Sequence, residues 1–297
     1  MKERVGFIGA GRAGTALASS LAQAGYVLQG VSNSTWTSSQ SAASYLGTTP
    51  YEDAADLVAA SDIVFLAVPD RAISDVCYQL SERHAWEARH VVAHLSGAED
   101  HHRLDSARAS GARTMSFHPL LAFARRERRR SFQGIYFAVE GHSDALALAR
   151  DLVEALGGEV LNLPCGSKAL YHMAAVIASN YLVTLAYLSC QLLVKTGIDA
   201  EHALGALLPL IQGTVDNLRE VGLPEALTGP VMRGDTVTVA RHLDALSALD
   251  TDKEGESVYR VLGQYTTKVA QKAGLSGETA RVLRRMLVQK ERECHEG

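Results

Sequence analysis

Four cysteines in 297 residues, Cys77, Cys165, Cys190 and Cys294, are widely scattered, and none belongs to a C-x-x-C pair. They make neither a disulfide framework nor a zinc ribbon, and a chain of this size needs no covalent staples; the expected setting is a reducing cytoplasm. Positive charge is not in excess either. The 29 Lys and Arg against 33 Asp and Glu leave a formal charge of -4, which excludes a general binder of phosphate backbones, so nucleic acid is not an expected partner. No basic segment followed by an apolar run and cleavage site stands at the start, and secretion is not expected. Repeats and low-complexity tracts are missing, and the composition excludes disordered, collagenous and rod-like chains. What is present is a hydrophobic fraction of 47%, enough to bury the core of one large domain or two ordinary ones.

Periodicity divides the chain into unlike halves. Short apolar runs at 5–8, 27–32, 63–68, 90–95, 114–117, 135–139 and 160–163 read as strands, and segments of helical length at 13–24, 36–46, 73–82 and 145–156 lie between them. That alternation predicts an α/β fold with a mainly parallel sheet covered on both faces. After Pro164 strand signals vanish. Helices are expected over 167–196, 200–221, 236–249 and two segments of 255–293, punctuated by Gly197, Gly222 with Pro224, and Gly229 with Pro230. The expected domains are therefore 1–164 and an all-helical 165–297. Residues 169–194 carry no Asp, Glu, Lys or Arg, long enough to span a bilayer. With His172, Asn180 and Gln191 inside it, a soluble helix buried on most sides is the expected reading, and no membrane partner.

Gly9-Ala10-Gly11-Arg12-Ala13-Gly14 is a G-x-G-x-x-G placed between the first strand and the first helix. Gly9 permits the tight turn, Gly11 admits a pyrophosphate to the backbone, and Gly14 lets helix and strand pack closely; the helix N-terminus offers free N–H groups. This is the signature of a dinucleotide site. NAD-binding versions place a carboxylate about 20 residues on, to hold the ribose diol. Here the second strand ends in Ser32, Asn33 and Ser34 with no acid, so a 2′-phosphate is not repelled and NADP is expected over NAD, with Arg12 as a nearby cation.

Open α/β sheets bind ligands beyond the carboxyl ends of their strands, which brings Val68-Pro69-Asp70, Ser96-Gly97 and His118-Pro119 into play; Ser96, Gly97 and His118 are candidates for touching substrate. On the long helix, Lys168, His172 and Asn180 follow at spacings of four and eight, within about one face. Lys168 or His172 is the candidate proton carrier and Asn180 the orienting amide; the alternative is a surface lysine and a satisfied core histidine. Arg233, before the expected helix cap Asp235, is a candidate for a substrate carboxylate or phosphate, or for a structural ion pair. Among His84, His90, His94, His101 and His102, the pair His90 and His94 would lie about 13 Å apart along a strand, so no metal is expected. The run 125–130, with five arginines, is either a solvated connection or a lid drawing in an anionic ligand.

Taken together, the glycine motif, Val-Pro-Asp after a strand, His94-x-Ser96-Gly97, His118-Pro119-Leu120, Lys168 to Asn180 and Thr228-Gly229-Pro230 to Asp235 resemble the Rossmann-like proteins whose helical C-terminal half is a domain of unknown function. More loosely the chain is similar to pyrroline-5-carboxylate reductases, beta-hydroxyacid dehydrogenases, ketopantoate reductase and prephenate dehydrogenase. In beta-hydroxyacid dehydrogenases a Lys is followed four residues later by Asn; Lys168 fits that pattern, and His172 departs from it. The resemblance implies an NADP-dependent oxidoreductase acting on a small polar keto, hydroxy or imino compound held between the halves, and a homodimer formed through the C-terminal helices. A non-catalytic NADP-binding or redox-sensing dimer, and a reductase partnered by a deazaflavin, are the competing readings.

Overall fold

The computed structural model describes residues 2–126, 131–249 and 253–288. Its strands are β1 (Arg4–Ile8), β2 (Val27–Ser32), β3 (Ile63–Leu66), β4 (Val91–His94), β5 (Arg113–Pro119), β6 (Tyr136–Gly141) and β7 (Glu159–Asn162). They form one sheet in the order β2-β1-β3-β4-β5-β6-β7. Each of the seven apolar runs is a strand, within two residues at either end. All neighbours pair in parallel except β5 and β6, which are antiparallel. The reversal fits the connection: the described residues of 120–135 include no crossover helix, and only a parallel return requires one.

Helices α1 (Arg12–Gln23), α2 (Trp36–Leu46), α3 (Ala54–Ala59), α4 (Ile73–Glu82), α5 (Asp105–Ala109) and α6 (Ser143–Ala155) cover the sheet. Strand residues of opposite parity face opposite ways. Phe7, Phe65, Phe117 and Phe137 pack with Leu17, Ala43 and Leu152 of α1, α2 and α6. Ile8, Val64, Leu66 and Val92 pack with Leu57, Ile73 and Leu80 of α3 and α4. Aromatic contacts run along the first face, with ring centroids 5.0 Å apart for Phe7 and Phe65 and 5.7 Å for Phe65 and Phe117; the small Ala93 on intervening β4 leaves room for the second.

The chain divides into two compact units, Met1–Tyr181 and Leu182–Gly297. The sequence puts the boundary at 164, where strand signal stops; the first unit instead carries on into helix α7 (Lys168–Lys195), whose first residue, Lys168, is bonded to Ser96 just beyond β4. The second unit holds α8 (Ala200–Glu220), α9 (Thr236–Ala248), α10 (Lys253–Lys272) and α11 (Gly277–Leu287), with Val239, Leu243, Ala270 and Leu283 at its core. Asp235 caps α9 through the Thr238 amide at 2.9 Å, as the sequence leads one to expect.

One expectation is overturned. Helix α7 is not buried on most sides, since Lys168 is its one buried residue, and its apolar side chains face outward, with Val183 70% and Tyr187 63% exposed. It is long and apolar enough to cross a membrane, by length and composition alone.

Truncating a core ring tests the packing: Phe65→Ala is expected to cost about 3–5 kcal/mol in urea unfolding, through lost burial and a cavity that flanking strands cannot close.

Candidate functional site

The glycine loop leaves β1 and enters α1 under tight restraint. The Gly9 amide donates to the Ser32 carbonyl at 2.8 Å, and Ala10 N–H donates to Asn33 Oδ1 at 2.8 Å. Gly9 sits at φ +89°, and a Cβ there would lie 2.5 Å from the Ala67 carbonyl oxygen. At Gly14 a Cβ would meet Ala67 Cβ at 2.8 Å and Gly9 O at 2.9 Å. Both glycines therefore serve the packing of loop against β3. Gly11 is different. It has φ −73°, open to any residue, and a Cβ would meet nothing within 4 Å. The chain itself does not need glycine there, so the space beside it is what the glycine serves.

That space is a cleft of about 670 Å³ lined by Gly9, Gly11, Ser32, Asn33, Ser34, Val68 and Pro69 from the expected set, a volume in the range of cofactor sites. It lies at the switch point, where β1 has β2 on one side and β3 on the other. Gly14 stays buried behind it, Ala13 is half-buried, and Arg12 opens α1 with an exposed side chain outside the lining. Asn33 is a bracket: its carbonyl accepts from Ala10, and its Nδ2 donates to the Ser38 carbonyl at 2.9 Å. Sequence reasoning missed Ser38, Ser41 and Arg83, which also line the cleft, and singled out Arg126, a further lining residue, only as one member of the arginine run. No short-range pattern marks them, because they arrive from α2, from the end of α4 and from the β5–β6 connection. Of the arginine run only Arg125 and Arg126 lie within the described residues.

One strand further along the sheet, α7 meets the ends of β4 and β5. Lys168 Nζ donates to the Ser96 carbonyl at 2.8 Å, and Lys168 is 3% exposed. Burial brings this ammonium down to about 8, against the pull of the Glu140, Asp70, Asp100 and Glu99 carboxylates. The Ser96 hydroxyl accepts from the Ala98 and Glu99 amides at 3.1 and 3.0 Å, so its side chain builds the turn while its carbonyl holds the lysine. Gly97 is the point of convergence: a Cβ there would lie 2.9 Å from His118 Nε2 and 2.9 Å from His172 Nδ1. His118 Nδ1 shares a 2.7 Å hydrogen bond with the Tyr171 hydroxyl. Burial first, then the charges of Lys168, His172 and His94, push His118 down to about 3, while burial raises Tyr171 to about 12. His118 is thus neutral and Tyr171 protonated at ordinary pH. His172 Nδ1 is buried without a partner.

Beneath this group His94 accepts from the Ser96 amide at Nδ1 and donates from Nε2 to the Asp100 carbonyl at 2.8 Å. Sequence reasoning did not anticipate the buried pair of His101 Nδ1 and Glu140 Oε1, 3.0 Å apart. An acid in the otherwise apolar strand β6 was its signal. Asn180 lines an 800 Å³ cleft with His118, Tyr171 and His172, yet two turns of helix, about 12 Å of rise, separate it from His172. Arg233 lies in the second unit on an exposed turn, where its charge helps hold Asp235 below the usual carboxylate range, after the bonds from Thr238. Among the described residues no three His, Cys, Asp or Glu side chains gather into a metal-binding group.

A family model for a Rossmann-like domain matches residues 1–119, and the domain of unknown function DUF2520 matches 135–266. The chain joins a Rossmann-like domain to a DUF2520 domain. The DUF2520 match begins inside the sheet, before β6, and takes in Lys168, Tyr171 and His172; the other half of the site, Ser96 to His118, belongs to the Rossmann-like match. A proposed NADP oxidoreductase from Bacteroides fragilis is 22% identical, with 89% of this chain and 98% of that one covered at a TM-score of 0.72. A Thermotoga maritima protein is 24% identical over 91% and 99%, at 0.69. The 1-pyrroline-5-carboxylate reductase of Streptococcus pyogenes is 16% identical over 96% and 99%, at 0.62. At these identities the likeness establishes the fold. No curated protein matches the chain.

Because Gly11 serves a ligand and not the chain, Gly11→Ala is expected to lower the thermal midpoint by no more than about 3 °C, the cost of a poorer helix cap. Dinucleotide affinity should fall at least about tenfold in calorimetric titration; a badly destabilised variant would show that the fold requires this glycine after all.

Proposed function

We propose that this protein is an NADP-dependent oxidoreductase that moves a hydride between NADP(H) and a small polar keto, hydroxy or imino compound. The observation that carries the reading is the convergence of Lys168 on the Ser96 carbonyl and of His118 and His172 on the adjoining Gly97, one strand from the cleft beside the glycine loop. The open space at Gly11 and the acid-free end of β2 fit a dinucleotide with a 2′-phosphate. Solved structures of the same fold include a pyrroline carboxylate reductase with NADP bound and a reductive aminase with NADPH, which supports the same cofactor here.

When bound, the nicotinamide supplies or takes the hydride at carbon. The chain's own residues manage the proton that must reach or leave the substrate heteroatom. Lys168, held by the Ser96 carbonyl, keeps further N–H donors for that atom, and its lowered basicity makes proton release easier at neutral pH. His118, neutral and oriented by Tyr171, offers a hydrogen bond, not a charge. The unpartnered Nδ1 of His172 is a second polar contact for substrate. Ser96 and Gly97 position these groups, and Asn180 orients a more distant part of the substrate. This arrangement supports catalysis over a redox-sensing role.

In solution the partner we propose is a second copy of the chain. Uncharged residues 169–194 expose apolar side chains, and α8 adds Leu208 and Leu210, 52% and 68% exposed; so large an apolar surface marks an interface. His172, Asn180 and Gln191 make lipid a costly cover for it. The unpaired Cys77, Cys165 and Cys190 suit the cytoplasm we propose as its setting.

A screen of oxo acids and cyclic imines, read by NADPH consumption, identifies the substrate. With it, Lys168→Met should reduce turnover by about 10²–10⁴-fold while NADPH affinity stays within about twofold; unchanged turnover would remove Lys168 from the chemistry. The ammonium holds its proton below about 8, so the wild-type reduction rate should fall as pH rises through that value, and the fall should vanish in the variant. For the assembly, light scattering coupled to gel filtration should report a dimer, converted to monomer by Val183→Glu with Tyr187→Glu; a monomeric wild type refutes the interface.

A further inference from the structure

The cleft poses an electrostatic question. A 2′-phosphate carries close to two negative charges, but β2 ends in Ser32, Asn33 and Ser34 and supplies none of the opposite sign. Arg12 lies outside the lining. Arg83 lines the cleft, yet its guanidinium is committed to Asp53 through both terminal nitrogens, and Asp53 in turn caps α3.

Arg126 remains. It comes from the connection between β5 and β6, more than 90 residues from β2 in sequence, and lines the same cleft as Ser32, Asn33 and Ser34. Two walls fix its orientation. On the α1 side its Nε donates to Thr15 Oγ1 at 2.9 Å, and Thr15 is itself tied to the Ala10 carbonyl at 3.0 Å. On the α2 side its guanidinium lies over the Tyr45 ring, 5.0 Å from the centroid, while the Tyr45 hydroxyl donates to the Arg126 carbonyl at 3.4 Å. With one edge of the planar group so occupied, Nη2 is buried and has no hydrogen-bond partner. A buried, unpaired guanidinium nitrogen is expensive. Holding it in place from both sides makes sense if an anion completes it.

Resting on the NADP reading above, we infer that Arg126 is the residue that binds the 2′-phosphate and makes the site prefer NADPH to NADH. The pyrophosphate has its own donors, the amides beside Gly11 at the start of α1. Arg126 stands a full turn further along α1, at Thr15, and on the side of α2, where the adenosine ribose lies in this fold. Ser34 and Ser41 line the same cleft and add hydroxyls for a doubly charged group. A guanidinium pre-set by Thr15 and Tyr45 loses little freedom when the phosphate arrives.

The experiment is calorimetric titration of NADPH and NADH into the wild type, Arg126→Ala and Arg126→Lys, with thermal melts of each. The wild type should bind NADPH more tightly. Arg126→Ala should weaken NADPH by about 10- to 100-fold, the scale of a lost charge-assisted hydrogen bond, and NADH by less than about twofold. Arg126→Lys should recover part of the loss, and if the alanine variant melts early the lysine variant alone decides, because it keeps the charge but loses the fork. Equal weakening of both dinucleotides would move Arg126 to the pyrophosphate or adenine and overturn the inference, as would an unchanged ratio. A wild type that binds neither dinucleotide would overturn the NADP reading itself.

Discussion

The arrangement rests on one buried charge. Lys168 puts an ammonium beneath the end of β4, where the Ser96 carbonyl takes one of its protons, and the cost of removing that charge from water shows in its lowered basicity. Acids gather around it for the same reason: Glu140, Asp70, Asp100 and Glu99 all favour the charged form. This contact also ties the first turns of α7 to the sheet, which carries Tyr171 to His118 and His172 to Gly97. A surface lysine at the same position would leave the two imidazoles with no common target.

The nearby histidines differ in what surrounds them. His94 and His118 are kept neutral by burial beside a cation, and His94 is further locked by bonds at both ring nitrogens. His101 faces the Glu140 carboxylate instead. Lys168 is thereby the group here whose proton is released near neutral pH, with His94 and His118 as fixed dipoles beside it.

Much of this was legible from residues alone. The seven strands were readable because apolar runs of four to six residues recur between helical stretches, and the glycine loop because its spacing matches tasks that only glycine performs. Lys168, His172, Ser96, Gly97 and His118 could be nominated from strand ends and helix spacing. Their meeting could not, since Ser96 and Lys168 are 72 residues apart and neither flank encodes the other's position. The reversal of β6 was hidden because an antiparallel pair has the same local pattern as a parallel one. Arg126 looked like one member of a charge run, and nothing local distinguishes the arginine that turns inward to Thr15.

What the sequence by itself determined is the set of elements and the chemistry available at their ends: an α/β half whose first loop carries the glycine motif, a long segment free of charge over 169–194, and no acid after β2. Those are local properties, set by side-chain period, backbone freedom at glycine and residue type. Only the tertiary structure decided which end meets which. Burial, orphaned polar atoms and the convergence on Gly97 arise when distant segments exclude water together, and no local pattern carries that information.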